Sequence, residues 1–516
     1  MSSPRSLFRW RVLSEFLLVF SIAWLPALAQ DAGTGPQLTF LDPVPALLNG
    51  AKVTTNVNIL ATKGRVVQGV GADSATQMVI RIPANSAGEK FTLTVINDQG
   101  IQSSSAAEDG GLGGIGASTF TLSQSTVAAV KTTAGAMAFA IYGAPVDFPR
   151  PEGQDANSTE RFISIQAEAP GMNSSTTVTI LRAPVVLVHG LWGSSQSWSG
   201  FTPFTTDSRF SINYANYSAT IGGQIKSYSP SYPSWATGSL KNAQANSLGF
   251  SYNAPTVLSQ TTGFINTFKN GTNPESLPVA AVQADVVAHS MGGDITRTLP
   301  LQPNFYSNAT FTLGSVHKLI TIGTPHWGSP LAIYLLDSND ECVRGILALS
   351  GSPSFSSVTF QNGKTANGGV FDLQGDGFGG SLSQALQNLE NPILHPLPTA
   401  LVQGLESQSQ LDGLDTSTAA EFIRFFCFGD YLADQLTSSG WPEVFNQDSD
   451  SIVPALSAVA GLTDFTEVDG VIHSASAEEL GFGPPAELDA AGGIPGTVTN
   501  LLNTTVTNAI FVPLPQ

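Results

Sequence analysis

The sequence predicts an α/β fold with a mostly parallel, helix-flanked sheet, preceded by an all-β sandwich. Short alternating or β-branched runs fill residues 38–182, and no comparable helical segment interrupts them. From Pro184 onward, apolar strand segments alternate with amphipathic helical segments. Residues 282–299 have the pattern of a buried strand, a turn of small residues and a helix. A chain of 516 residues exceeds one ordinary hydrophobic core, so we expect two domains.

Residues 1–29 have the pattern of a secretory signal peptide. Three arginines precede an apolar stretch at 16–25, and Ala27-Leu28-Ala29 matches a cleavage site. The apolar stretch is shorter than the roughly 20 residues that a membrane span needs, which makes a retained anchor the less favoured alternative. We therefore expect a protein that is secreted, periplasmic or at the cell surface.

Residues 30–182 are expected to form the β-sandwich, with an immunoglobulin-like arrangement. Gly, Asn, Pro and Ser clusters separate the apolar runs at intervals typical of hairpins, and the glycine-rich segment 102–117 is predicted to be a long loop. This part has no histidine, so we expect a packing or spacer module, with attachment to a surface or polymer as the alternative. The predicted strands lie at 52–60, 77–82, 90–96, 136–142, 161–168 and 176–181.

The pattern changes at Arg182-Ala183-Pro184, where the second domain is expected to begin. Val185 to Val188 is fully apolar, as in a strand buried on both faces, and it ends in His189-Gly190. The carboxyl ends of such strands meet at one edge of the sheet, where α/β folds bind their ligands. Further strands are predicted at 209–217 and 317–322, and a crossover helix at 255–269.

Ser290 occupies the turn between the predicted strand and helix of 282–299. Ala288, Gly292 and Gly293 supply small side chains, which a strained turn of this kind needs because strand and helix approach closely there. A serine hydroxyl is a weak nucleophile unless a base, an orienting acid and oxyanion donors lie nearby. The pattern predicts a nucleophilic serine if the chain supplies these partners, and otherwise a plain glycine-rich turn.

Three segments together resemble the α/β-hydrolase fold, specifically the secreted bacterial triacylglycerol lipases and esterases. They are PVVLVHGLWGS from residue 184, AHSMGG from residue 288 and LITIGTPHWGSPLA from residue 319. The resemblance covers about residues 183–480 and implies an α/β-hydrolase domain over 183–516. Ala288 stands where the commoner family pattern has glycine.

The resemblance also implies a lid. The chain between the strand at 317–322 and the next apolar run, at 421–428, is far longer than one crossover helix needs. Lipases resembling this chain carry a mobile lid after the same strand, so we expect a lid or cap insertion at 331–420. A static subdomain is the alternative.

In this fold the acid and the base follow the serine in that order. Only His473 follows the last candidate acid, which makes it the predicted base. Asp450 is the predicted acid, because Asp450 and Ile452-Val453-Pro454 resemble the family's Asp-x-Val-Val-Pro pattern; Asp448 and Asp430 are the alternatives. The other histidines are expected in other places: His189 in the turn after the first strand, His289 against the sheet, His317 at a strand head, His326 in the TPHWGS turn and His395 in the insertion.

Similar lipases place their oxyanion donors at the backbone amides that correspond here to Leu191 and Met291. This chemistry requires no metal and no organic cofactor. An apolar acyl site and ordinary packing are equally compatible with a set of aromatic residues near the predicted crevice, namely Trp192, Trp198, Phe201, Phe204 and Trp327.

The net charge argues against a nucleic-acid-binding protein, and the motif content argues against a zinc protease of the His-Glu-x-x-His type. The formal net charge of −18 repels nucleic acid, and no His-Glu-x-x-His pattern is present. Cys342 and Cys427 are compatible with one disulfide or with two thiols, and the sequence leaves this open.

The leading hypothesis is an exported serine hydrolase that cleaves carboxylic esters, of the lipase or esterase type. Its partner would be a small-molecule or lipid ester, with contact to a lipid interface or surface, and the oligomeric state is left open. An acyltransferase that uses the same triad is one alternative. An adhesion or polymer-binding protein with an inert hydrolase domain is the other.

Overall fold

The computed structural model of this chain describes residues 37–225, 242–336, 358–360, 365–366, 368–391, 396–406, 447–473 and 485–514. Several predictions lie outside these ranges: the signal peptide, Cys342, Cys427, His395, Asp430 and the apolar run at 421–428. Among the described residues, no helix combines the length and the apolar character needed to cross a membrane.

The amino-terminal region consists mainly of two β-sheets. One sheet has its strands in the order β10-β11-β6-β1-β4, with β8 beside β11, and the other contains the order β5-β13-β12-β7-β9. The elements are β1 (Thr39–Asp42), β2 (Leu48–Asn49), β3 (Lys52–Val53), α1 (Val57–Thr62), β4 (Arg65–Val67), β5 (Gly69–Ala72), β6 (Gln77–Pro83), β7 (Lys90–Ile96), α2 (Ala106–Asp109), β8 (Gly111–Gly113), β9 (Gln124–Ala128), β10 (Val130–Thr132), β11 (Gly135–Gly143), β12 (Glu160–Ala169) and β13 (Met172–Arg182).

Side chains from both sheets share one hydrophobic cluster. Ile80 and Tyr142 from the first sheet are fully buried in it, together with Phe91, Ile165 and Ile180 from the second. Along β12 the buried positions alternate with more exposed ones, because successive side chains of a strand point to opposite faces. The two sheets therefore enclose a common core, and the immunoglobulin-like arrangement stays a prediction.

One segment of this region differs from the prediction. Residues 52–60, expected as a strand, contain only the two-residue β3 before helix α1 begins at Val57. The Asn56 side chain accepts hydrogen bonds from the amides of Asn58 and Ile59 at 3.1 and 3.3 Å. This cap satisfies amides at the start of the helix, and it outweighs the β-branched composition that indicated a strand.

The second region contains a seven-stranded, mostly parallel sheet. Its strand order is β15-β14-β19-β20-β23-β24, with β25 antiparallel to β23. The elements of the region are β14 (Val185–Val188), β15 (Ile212–Ala215), β16 (Thr220–Ile225), β17 (Asn242–Gln244), α3 (Phe250–Lys269), β18 (Val279–Ala280), β19 (Ala284–His289), α4 (Met291–Arg297), β20 (Val316–Ile322), α5 (Pro330–Leu336), β21 (Val358–Phe360), β22 (Thr365–Ala366), α6 (Gly369–Asp372), α7 (Gln384–Leu389), β23 (Leu397–Leu405), α8 (Ala455–Ala458), β24 (Thr466–Asp469), α9 (Ile494–Leu502) and β25 (Val512–Leu514).

Both faces of the parallel sheet are covered, which explains why its strands are apolar throughout. Val186 and Val188 pack into a cluster with residues of α3 and α4. Val185 and Leu187 point the other way, into a cluster with α9 and the aromatic residues near Trp198. Parallel sheets are usually covered on both faces. The packing on both faces of this sheet fixes the positions of its strands and therefore of their carboxyl ends.

Strand β23 lies inside the range 331–420 that we expected to be an insertion. It pairs in parallel with β20, so the chain between these neighbouring strands runs from 323 to 396. Its sequence contains Pro398 and Gly404, which weakened the strand pattern. Proline is tolerated here because Pro398 lies near the start of the strand, where β23 pairs with β25.

The two regions are joined by hydrogen bonds as well as by the chain. Strand β18 pairs in parallel with β5 and completes the second sheet of the first region, and Ala280 is buried in that region's core. The carboxylate of Asp73 accepts hydrogen bonds from the amides of Val282 and Gln283, each at 3.0 Å. These contacts fix the start of β19, the strand that leads to Ser290.

Candidate active site

Ser290 lies at the sharp turn between β19 and α4, in a strained backbone conformation. Its φ of 55° and ψ of −136° are unusual for any residue with a side chain. Glycines make the turn sterically possible: a Cβ on Gly190 would lie 2.6 Å from Ser290 Cβ, and one on Gly292 would lie 2.5 Å from His189 O. Thr324 Oγ1, in the loop after β20, donates to Ser290 O at 3.0 Å and so stabilises the turn.

Three of the predicted side chains meet at the carboxyl ends of the parallel strands. His473 Nε2 lies 2.8 Å from Ser290 Oγ, and His473 Nδ1 lies 2.8 Å from Asp450 Oδ2. All three residues are buried, with exposed fractions of 8% for Ser290, 6% for His473 and 0% for Asp450. This is the geometry that a serine nucleophile, a general base and an orienting acid require.

Asp450 is fixed by its own loop. Its second carboxylate oxygen accepts hydrogen bonds from the amides of Ile452 and Val453 at 2.9 and 2.6 Å. The amide of His473 donates to Asp450 O at 2.8 Å, which ties the two loops together. The alternative acid Asp448 is exposed, and no contact of its carboxylate with His473 is found in the described residues.

A second carboxyl group, Glu487, lies in the same cluster and was not predicted from the sequence. It is fully buried, with Oε2 at 3.0 Å from His289 Nε2 and at 3.5 Å from His473 Nδ1. Burial raises the pKa of Glu487 well above 4.5, and the nearby charge of Asp450 raises it further. Burial lowers the pKa of His289 well below 6.5. Both shifts favour the neutral form of the side chain concerned.

The loop that carries Leu191 begins beside Ser290. The ring of His189 contacts Gly190 O at 2.9 Å and stacks on Tyr217 at a centroid distance of 3.9 Å, while Tyr217 OH donates to His189 O. Burial lowers the pKa of His189 to about 4, so its imidazole is neutral at pH 7. Met291 is the first residue of α4, directly after Ser290. The roles of the Leu191 and Met291 amides stay predictions.

Three of the five aromatic residues considered for an acyl site pack into the core. Trp198, Phe201 and Phe204 are at most 1% exposed and contact one another, with ring centroids 5.1 and 5.9 Å apart. Trp192 is only partly buried and packs against the opposite core, and the ring of Trp327 packs against Gly461. Ordinary packing accounts for the first three.

The described residues contain one group with potential metal ligands at suitable spacing. The ligand atoms of His289, His473 and Glu487 lie within 4.8 Å of one another, and all three residues are buried. His473 already contacts Ser290 and Asp450 through its two ring nitrogens, so a metal ion here would displace those contacts. We assign no metal to this group.

Comparison with known proteins gives neither a matching family model nor a matching curated protein. Among solved structures, the chain is similar to the lipase BlEst2 of Bacillus licheniformis in mature form, at 15% identity over 62% of this chain and 92% of that chain, with a TM-score of 0.33. It is also similar to the phospholipase PlaB of Legionella pneumophila, at 11% identity over 62% of this chain and 60% of that one, with a TM-score of 0.36.

A third solved structure with similarity is an extracellular α/β-hydrolase from a Paenibacillus species. The identity is 9%, over 63% of this chain and 100% of that chain, and the TM-score is 0.28. At TM-scores this low, none of the three similarities carries an argument about activity. The functional conclusion therefore rests on the contacts of the site itself.

Proposed function

We propose that this protein is a serine hydrolase that cleaves carboxylic esters through an acyl-enzyme, on an α/β-hydrolase fold. The observation that supports this most is the unbroken series of contacts from Ser290 Oγ through His473 to Asp450, each 2.8 Å long. The strained turn at Ser290 adds to it, because strain of this kind is maintained only where the surrounding structure demands it.

The reaction follows from where charge develops. His473 Nε2 removes the Ser290 proton as Oγ attacks the ester carbonyl, and it later returns that proton to the leaving alcohol. Asp450 holds His473 in the tautomer with the proton on Nδ1 and stabilises the imidazolium. Water then attacks the acyl-serine by the same sequence of proton transfers and releases the carboxylic acid.

The amides of Leu191 and Met291 are proposed as donors to the tetrahedral oxyanion. The side chains of these two residues lie against helix α6: a Cβ on Gly369 would be 2.5 Å from Leu191 Cδ1 and 2.8 Å from Met291 Sδ. We propose that residues 368–372 form part of a cover over the acyl chain of the bound substrate. Phe371 on α6 and Ile333 on α5 are exposed at 42% and 41%, and we propose that these side chains contact a lipid-like substrate.

Export of the chain, with residues 1–29 as the signal peptide, is part of this proposal.

The test of the hydrolase mechanism is hydrolysis of p-nitrophenyl esters of increasing acyl length by the purified wild type, Ser290→Ala and the control Ser86→Ala. We expect Ser290→Ala to lose about 10⁴-fold or more in kcat/KM. The control should match the wild type because Ser86 is exposed in the first region. Undiminished hydrolysis by Ser290→Ala contradicts the mechanism.

A further inference from the structure

Glu487 lies in a space that two strand ends leave open for it. A Cβ on Gly323, after β20, would lie 2.3 Å from Glu487 Oε2, and a Cβ on Gly404, in β23, would lie 2.3 Å from Oε1. The amide of Gly404 donates to Oε1 at 3.1 Å, and the amide of Glu487 donates to Ile472 O at 2.8 Å. Both carboxyl oxygens thus have a partner, since Oε2 contacts His289 Nε2 at 3.0 Å, and the backbone of Glu487 is bonded to the residue that precedes His473.

Two carboxyl groups therefore face the same nitrogen of one imidazole. Asp450 Oδ2 is 2.8 Å from His473 Nδ1, and Glu487 Oε2 is 3.5 Å from it. Two carboxylates this close repel each other when both are ionised, so one of them keeps its proton. Asp450 accepts two amide hydrogen bonds besides its contact with His473, and burial together with the nearby charge of Asp450 raises the pKa of Glu487, so the proton stays on Glu487.

We propose that Glu487 is a second positioning carboxyl for His473, within reach of the same Nδ1 as Asp450, and that it takes over that nitrogen when Asp450 is absent. This inference rests on the proposed hydrolase function. Removing the Asp450 charge removes one cause of the raised pKa of Glu487, so the group ionises more readily. A shift of less than 1 Å would then shorten the 3.5 Å contact to hydrogen-bond length.

The test compares kcat/KM and its pH dependence in the wild type, Asp450→Ala, Glu487→Gln and the double variant. We expect Asp450→Ala to lose about 10- to 100-fold, because the longer contact replaces the shorter one. The double variant should lose about 10⁴-fold, the usual cost of losing the orienting acid. Glu487→Gln alone should lose less than about tenfold, since Asp450 remains.

The pH profile separates positioning from a purely structural role. Asp450→Ala should gain activity with rising pH through one added ionisation, that of Glu487, whose facing groups are His289 and His473. The double variant should lack this added step. Equal losses in Asp450→Ala and in the double variant, with no added ionisation, overturn the proposal.

Two further measurements keep this outcome separate from failure of the proposed function. The rate of Ser290 labelling by a fluorophosphonate reports the basicity of His473 even if no tested ester is a substrate. Labelling should be fastest in the wild type, slower in Asp450→Ala and slowest in the double variant. Thermal unfolding of each variant, with exposed Glu168→Gln as the matched control, identifies any that fail to fold.

Discussion

Ionisable side chains are buried at both ends of the parallel sheet, but their contacts differ between the two ends. At the amino ends, each charged side chain of β19 and β20 has a charged partner. His317 Nδ1 is 2.8 Å from Asp285 Oδ1, and Lys318 Nζ is 2.9 Å from Asp147 Oδ1. Lys318 also donates to Thr504 O at 3.0 Å. At the carboxyl ends, Ser290 is strained, and Asp450 and Glu487 share one imidazole.

The difference lies in what each arrangement can do. The buried pair of Lys318 and Asp147 has further hydrogen-bond partners, Thr504 O and the amide of Val506, and so holds the amino end of β20 in one position. A cluster with two carboxyl groups and two imidazoles has several protonation states, and a proton can move between them. Burial alone therefore does not indicate a functional site; at the carboxyl ends it is accompanied by a strained serine within hydrogen-bond distance of the imidazole.

The largest contrast is expected between two histidine substitutions. His473→Ala should lower kcat/KM by about 10⁵-fold or more, since the serine loses its base. His317→Ala should reduce stability and leave the kcat/KM of the folded protein near the wild-type value. Parallel ester assays and thermal melts check this. Comparable loss of activity in both variants would end the distinction between the two sheet ends.

The next effect concerns the ion pair at the amino ends. Asp147→Ala leaves Lys318 buried without a charged partner, and this should lower the free energy of unfolding by about 3–5 kcal/mol. The control is Asp98→Ala, which breaks the more exposed pair with Arg150 and should cost at most about 1 kcal/mol. Urea unfolding measures both. Equal costs would mean that the buried pair contributes no more than a surface pair.

Sequence reasoning found Ser290 because the strand, turn and helix around it are encoded locally, and it found Asp450 and His473 from the resemblance to a known fold and the order of acid and base in that fold. The roles of Ser290, Asp450 and His473 remain the proposal. Glu487 could not be found in this way. Nothing in its local sequence distinguishes it from a surface glutamate, and its burial arises only when Gly323 and Gly404 come together from two strands. Only the tertiary structure identifies Glu487 as part of the site.

The same limit explains the differences in the fold. Helix α1 depends on one capping side chain, Asn56, which a run of β-branched residues obscured. Strand β23 carries proline and glycine, and its identity as a strand comes from its neighbours β20 and β24 rather than from its own composition.

A smaller effect is expected at Asp372, on the cover near Leu191. Its carboxylate accepts a hydrogen bond from the amide of Phe250 at 2.9 Å, at the start of α3, and burial raises its pKa to about 6. Between the ordinary value of 3.8 and about 6, the folded state binds the proton more strongly than the unfolded chain. The contribution of Asp372 to stability is therefore present at low pH and is lost as pH rises through about 6.

Asp372→Asn removes this titration but keeps an acceptor for the Phe250 amide. Relative to the wild type, the variant should gain about 1–3 kcal/mol in the free energy of unfolding between pH 4 and pH 7. Urea unfolding of both proteins at these two pH values measures the difference. An unchanged difference between them would show that Asp372 titrates normally.

The smallest effect is expected for the pH dependence of stability at His317, because opposing influences act on the pKa of this residue. Burial lowers that pKa, but the charges of Asp147 and Asp285 outweigh burial and leave it raised above 6.5, against a smaller lowering by Lys318. The stabilisation by protonated His317 is thus complete below 6.5 and declines as pH rises through the folded-state pKa. His317→Gln should lose this decline, so its stability deficit should narrow between pH 6 and pH 9. A deficit independent of pH would show that His317 does not titrate between pH 6 and pH 9 and that the expected decline is absent.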